Sequence, residues 1–153
     1  MLIFSSFVTY FSIHSLSSAS FYLAEIKMER LRSEAYQISE LLINDPGEPL
    51  NWNVINFANV RRIGLLDHTQ NKTNLLSKAK LDRLIFLCST DYNSLKRKFG
   101  TDLNFQIFFK LEGSTAVCSS PSLPEKNKGS ITRVFAYLEG AEVKYGEMVL
   151  NVW

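Results

Sequence analysis

The first 24 residues, MLIFSSFVTYFSIHSLSSASFYLA, contain no aspartate, glutamate, lysine or arginine. All 17 basic and 15 acidic residues lie from Glu25 onward. Neither glycine nor proline occurs before Pro46. Nothing in residues 1–45 therefore interrupts a helix, and nothing in residues 1–24 resists transfer out of water by charge. Other scarcities exclude whole classes. Two cysteines and two histidines are too few for a cysteine-rich zinc module, and no metal or cofactor is expected. A net charge of +2 gives no basic field for nucleic acid, so no nucleic-acid partner is expected. The chain has no G-x-S-x-G, no phosphate-cradling G-x-x-x-x-G-K-[ST] and no H-E-x-x-H. No catalytic residue is assigned and no enzyme is expected. An exported hydrolase would have only His68, beside Asp67, as a base.

At 46% hydrophobic and 21% charged residues, the chain is long enough for one domain plus one extra element. As a helix, the uncharged stretch would rise roughly 36 Å, enough to cross a hydrocarbon core. It also carries seven serines, Ser5, Ser6, Ser12, Ser15, Ser17, Ser18 and Ser20. Serine adds no insertion energy but lets helices approach closely. The apolar residues Leu2, Ile3, Phe4, Phe7, Val8, Phe11, Ile13 and Leu16 are the candidate membrane or assembly surface. Three readings compete: a cleavable signal peptide ending near Ala19, a single-pass anchor, and a helix that is inserted first and later packed into a filament; an ordinary buried helix of a soluble protein is the remaining alternative.

Phe21, Ala24, Met28, Leu31, Ala35, Ile38 and Leu42 follow at spacings of three and four, an apolar seam along one helical face. It is expected to pack on the protein's own head; a coiled-coil partner is the alternative. Asn44-Asp45-Pro46-Gly47 stops the helix. The expected organisation is a helix over residues 1–44 (1–24 for membrane or filament core, 25–44 on the head) and an α+β head over 45–153. In the head, residues 48–60 read as extended or loosely structured, Arg61–Asp67 as a short strand and turn, and His68–Thr73 as a loop. Ser77 should cap a helix to about Leu87, and Thr90 or Asp91 a second one with Tyr92, Leu95 and Phe99 inward. Leu103–Leu111, Ile131–Leu138 and Val143–Trp153 read as strands, with residues 113–130 a long polar loop. The expectation is a small antiparallel sheet of three or four strands packed on the second half of the long helix.

If the head is exported, Cys88 and Cys118 can close a disulfide around some 30 residues, stabilising by about 3–4 kcal/mol; free thiols are the alternative. Asn71-Lys72-Thr73 is an N-x-[ST] sequon, so Asn71 is a candidate glycan site. Lys96-Arg97-Lys98 reads as a solvated helix end.

The ordered set Ala35-Tyr36-Gln37-Ile38-Ser39-Glu40-Leu41-Leu42, Asp45-Pro46-Gly47-Glu48-Pro49-Leu50-Asn51-Trp52, Ile63-Gly64-Leu65, Leu76-Ser77-Lys78-Ala79-Lys80-Leu81, Asp91-Tyr92, Leu95-Lys96 and Phe99-Gly100 resembles archaeal type IV pilin-like (class III signal peptide) proteins. In that family a long apolar helix is followed by a Pro-Gly-x-Pro-x-x-Trp turn, a Gly-Leu segment, a Leu-Ser-x-x-Lys-Leu helix and an Asp-Tyr helix. The likeness covers about residues 20–110. It implies a pilin-like fold and a structural or accessory subunit of a cell-surface filament; it does not imply an active site. It also implies membrane lipid and copies of itself, or related subunits, as partners of the N-terminal helix. The location it implies is the cell membrane, crossed once, with an extracellular head. Two features depart from the family. No basic-Gly leader precedes the apolar run, which leaves open a true start further upstream. Nor does an acidic residue stand near the helix start, as it does in bacterial major pilins. The alternative function is a single-pass, membrane-anchored extracellular binding domain that forms no filament.

Overall fold

The computed structural model describes residues 2–69, 72–122, 127–140 and 142–153; of residues 2–9 and 11–20 it describes the backbone alone. The described part is a mixed α+β fold with three α-helices and a five-stranded sheet. The elements run α1 (Leu2–Asn44), β1 (Leu75–Leu76), α2 (Lys78–Thr90), α3 (Tyr92–Lys98), β2 (Phe105–Leu111), β3 (Ser114–Ser119), β4 (Gly129–Glu139) and β5 (Glu142–Val152). A short 3-10 turn, Phe57–Asn59, interrupts the connection after α1.

The spatial strand order is β1-β4-β5-β2-β3. The four long strands pair antiparallel, while β1 pairs parallel with β4, Leu75 opposite Ala136 and Leu76 opposite Tyr137. This corrects the purely antiparallel sheet of three or four strands. One addition is β3. Gly113, at φ +77°, turns the chain straight back from β2, and Ser114–Ser119 pairs along Gln106–Leu111. Its serines and threonine read as loop because only Ala116 and Cys118 face inward. The other is β1, two leucines too short to show any period. The strand expected over Arg61–Asp67 is reduced to isolated bridges, Glu48 with Arg62 and Leu66 with Leu76.

Alternation decides the layers. Phe105, Ile107 and Phe109 of β2, Phe135 and Tyr137 of β4, and Met148, Leu150 and Val152 of β5 are buried on one face. The back half of α1 lies across β4 and β5 on that face. Leu31, Ala35, Ile38 and Leu42 are buried there as the 3-4 spacing demands. Two glycines permit the close approach. A Cβ on Gly129 would lie 2.4 Å from the Leu31 carbonyl, and one on Gly146 2.6 Å from the Phe135 ring.

The seam ends earlier than its spacing implies. Met28 is half-buried, but Phe21 and Ala24 are exposed, Phe21 at 71%. The reason is where the sheet stops: Gly129, the first residue of β4, meets α1 at Leu31. The apolar residues before Met28 continue the period without a head strand to cover them.

Ser77 is the N-cap residue of α2 but makes no side-chain cap bond. Asp91 caps α3, its carboxylate accepting from the Ser94 amide at 3.1 Å. Tyr92 and Leu95 are buried and Phe99 is half-buried against them; Gly100 ends the helix at φ +70°.

Candidate functional site

Three constructions in the head go beyond simple core packing. The first joins α1 to the head at Asp45–Trp52. The Asp45 carboxylate accepts from the Gly47 amide at 2.7 Å and pairs with Arg62 at 2.8 Å. Trp52 is fully buried and its indole N–H donates to the Gly64 carbonyl at 2.8 Å. Gly64 sits so close that a Cβ would lie 2.0 Å from the Asp45 carbonyl oxygen. The Lys80 ammonium, on the buried face of α2, donates to the Pro46 carbonyl at 2.6 Å and the Leu66 carbonyl at 3.1 Å. Burial pushes the Lys80 pKa down, opposed by Asp67 and Asp45. One lysine thus closes three segments: the helix exit, the Leu66 bridge and α2. Nothing in the sequence marks Lys80 as buried, because the segment that receives it lies 34 residues away.

The second construction is the Cys88–Cys118 disulfide, Cα atoms 5.4 Å apart, which fastens α2 to the edge strand β3. Beside it Tyr92 clamps β2: its hydroxyl donates to the Phe105 carbonyl at 3.1 Å and accepts from the Phe105 amide at 2.8 Å. Burial raises the Tyr92 pKa. Arg133 of β4 ties the sheet to α1. Its guanidinium pairs with Glu40, donates to the Ser39 hydroxyl at 3.3 Å and lies 4.8 Å from the centre of the Tyr36 ring.

The third is the sheet face turned away from α1. Val134 (67% exposed), Val143 and Tyr145 (73% exposed) form its apolar centre. A Lys110–Glu147 ion pair at 3.1 Å borders it. Two shallow grooves meet on these three residues, one running toward Lys110 and Glu147, the other toward Lys72–Leu75.

Candidate chemistry is sparse. His68 is exposed in a turn, and the Asp67 carboxylate beside it accepts from the Thr69 amide and hydroxyl. Among the described residues no three His, Cys, Asp or Glu groups gather as a metal site. Asn71, and the side chains of Leu2, Ile3, Phe4, Phe7, Val8, Phe11, Ile13, His14 and Leu16, lie outside the described residues. In the basic run, Lys98 donates to the Val60 carbonyl, Lys96 to Asn104 at 3.3 Å and Arg97 to Ser94 at 2.8 Å.

These carboxylates make stability depend on acid. Burial raises the Asp67 pKa, but the Thr69 hydrogen bonds, His68 and Lys80 outweigh it and hold the group low. Ser94 holds Asp91 low, and Lys144 holds Glu139 low. A depressed carboxyl pKa contributes stability above the unfolded value and loses it as pH falls through the folded one. The melting temperature is therefore expected to be lower at about pH 3 than at about pH 6. Asp91→Asn, which keeps a capping side chain, should flatten part of that slope; an unchanged slope would remove Asp91 from the account.

No known protein family, curated protein or solved structure matches this chain. Among the described residues, no helix is long and apolar enough to cross a membrane.

Proposed function

We propose that the chain is a non-enzymatic, exported, pilin-like subunit whose uncharged N-terminal helix is inserted in a membrane and packs with copies of itself or related subunits in a surface filament. One observation carries this reading. From Leu31 to Ile43 the seam of α1 is buried on the head, whereas Tyr10 and every described side chain from Phe21 to Arg30 except Met28 is exposed. Phe21, Tyr22, Leu23 and Ile26, each more than 60% exposed, spread around the helix rather than along one stripe. A cluster of that kind is ordinarily covered by lipid or protein.

α1 is 43 residues, roughly 65 Å as a straight helix, longer than a head of this size needs. In this reading its front half protrudes and its back half packs on the sheet. The seven serines make the front half less apolar than a solitary span and suited to close helix packing. The disulfide supports an oxidising compartment for the head. The ordered motif residues, with Trp52, Gly64 and Lys80 joined in one junction, support the pilin-like comparison.

Phe4→Asp or Phe11→Asp tests the proposal. At Phe11, near the middle of residues 1–24, a carboxylate in an inserted helix costs about 2.5–3.5 kcal/mol, and at Phe4, nearer the end, less. Electron microscopy of cell surfaces should show filaments lost, while the head keeps its disulfide and melting transition. Normal filaments in both variants would overturn the reading. Membrane-bound monomers and no filaments even in the unaltered chain would favour the anchored binding domain, for which the grooves at Val134 and Tyr145 are the natural ligand surface.

A further inference from the structure

We infer that the uncovered edge of β4, from Ser130 to Val134, receives an extended peptide strand bearing an acidic residue, supplied by a partner protein. The argument starts from backbone direction. The Ala136 amide donates to the Asn74 carbonyl at 2.9 Å, away from β5. Alternate residues of a strand point the same way, so Ser130, Thr132 and Val134 aim their N–H and C=O groups at that same edge. β1 covers only Ala136 and Tyr137. Asn74, at φ 60°, marks where the chain joins β1, and no backbone bond of the described residues reaches Ser130, Thr132 or Val134 from that side. All three residues are exposed.

Natural edge strands are usually short, covered, or studded with charge or proline. This edge belongs to an 11-residue strand. Its outward positions are a serine, a threonine and a valine. The single charge between them, Arg133, is turned onto Glu40 and Ser39 of α1. A five-residue ladder of about 17 Å is thus left open, and an extended backbone supplies the matching donors and acceptors.

The surroundings select the side chains. A groove of about 590 Å³ flanks the edge, walled by Lys72–Leu75 and floored by Val134, Ala136 and Tyr145. Among the described residues, Lys72 is the one charged residue lining it. An apolar residue of the incoming strand meets Val134 and Tyr145, and a carboxylate complements Lys72. A second copy paired symmetrically about Thr132 fits less well: the two-fold axis would run the two α1 helices antiparallel, against a common membrane.

The test uses the full chain in detergent micelles and a capped Thr-Val-Glu-Val-Thr-Val peptide, read by fluorescence anisotropy and by amide hydrogen exchange. The peptide should slow exchange at Ser130, Thr132 and Val134. Lys72→Glu should weaken binding about fivefold at low salt. Thr132→Pro, a substitution edge strands tolerate, removes one donor and should weaken binding about tenfold. Should that variant fail to fold, N-methylation of alternate peptide amides tests the same bonds on the unaltered chain. Three results would overturn the proposal: no slowed exchange at millimolar peptide, equal affinity for the N-methylated peptide, or slowed exchange that grows with protein concentration without peptide. Equal affinity for a Lys-for-Glu peptide would overturn its acidic selectivity.

Discussion

Replacing Cys88 and Cys118 together by alanine is expected to lower the melting temperature of the head by roughly 20 °C. The two residues are 30 apart in sequence, and the cross-link removes about 3–4 kcal/mol of loop-closure freedom from the unfolded chain. The native side of the comparison is equally important. β3 is an edge strand held by β2 on one side and by α2 across the face, and Cys118 is fully buried where those contacts meet. Without the bond, Ser114–Ser119 keeps its ladder to Gln106–Leu111 but loses its fastening to α2. Thermal unfolding with and without reductant gives the same comparison on the unaltered protein. Identical transitions in both conditions would show that the bond does not form in solution. The prediction also bears on location, since a head this dependent on the disulfide would be poorly stable in a reducing compartment.

Trp52→Ala should destabilise the head by a comparable amount, about 3–5 kcal/mol, for a different reason. Trp52 has no exposed surface, and its ring lies where a Cβ on Gly47 would be 2.4 Å away. Removing it empties the space between the α1 exit and the Arg62–Leu65 segment. It also strands the Gly64 carbonyl, which the indole N–H now satisfies at 2.8 Å. Trp52→Phe separates the two effects: it restores most of the volume without the donor and should cost about 1–3 kcal/mol through the unpaired carbonyl. Denaturant unfolding of both variants checks the order. If Trp52→Phe were as damaging as Trp52→Ala, the lost indole hydrogen bond to Gly64 rather than the lost volume would account for the cost. Neither change touches the uncharged helix, so the membrane association proposed above should persist in both.

Which parts of this were legible in the sequence depends on whether the signal is local. The 3-4 spacing from Met28 to Leu42, the Pro46-Gly47 stop, the Asp91 cap and the alternation in Phe105–Leu111 are all written within a few neighbouring residues, and local sterics and periodicity enforce them. The seam failed where locality failed. Phe21 and Ala24 keep the period perfectly, but burial needs a surface opposite, and the sheet ends at Gly129 beside Leu31. β3 and β1 were illegible for a similar reason: a short strand is created by its partner's ladder more than by its own residues.

The candidate surfaces divide the same way. By itself the sequence determined that residues 1–24 carry no charge, that no familiar catalytic motif is present, and that two cysteines were available to pair. Those are facts of composition, and no fold can alter them. Only the tertiary structure decided that Lys80 turns inward to cap two carbonyls, that Arg133 is drawn onto Glu40, and that β1 stops after two residues, so that the edge of Ser130–Val134 turned away from β5 has no strand partner among the described residues. Each of these turns on groups brought together from distant points in the chain, and the energy of a buried amine or an open strand edge depends on what surrounds it rather than on what precedes it in sequence.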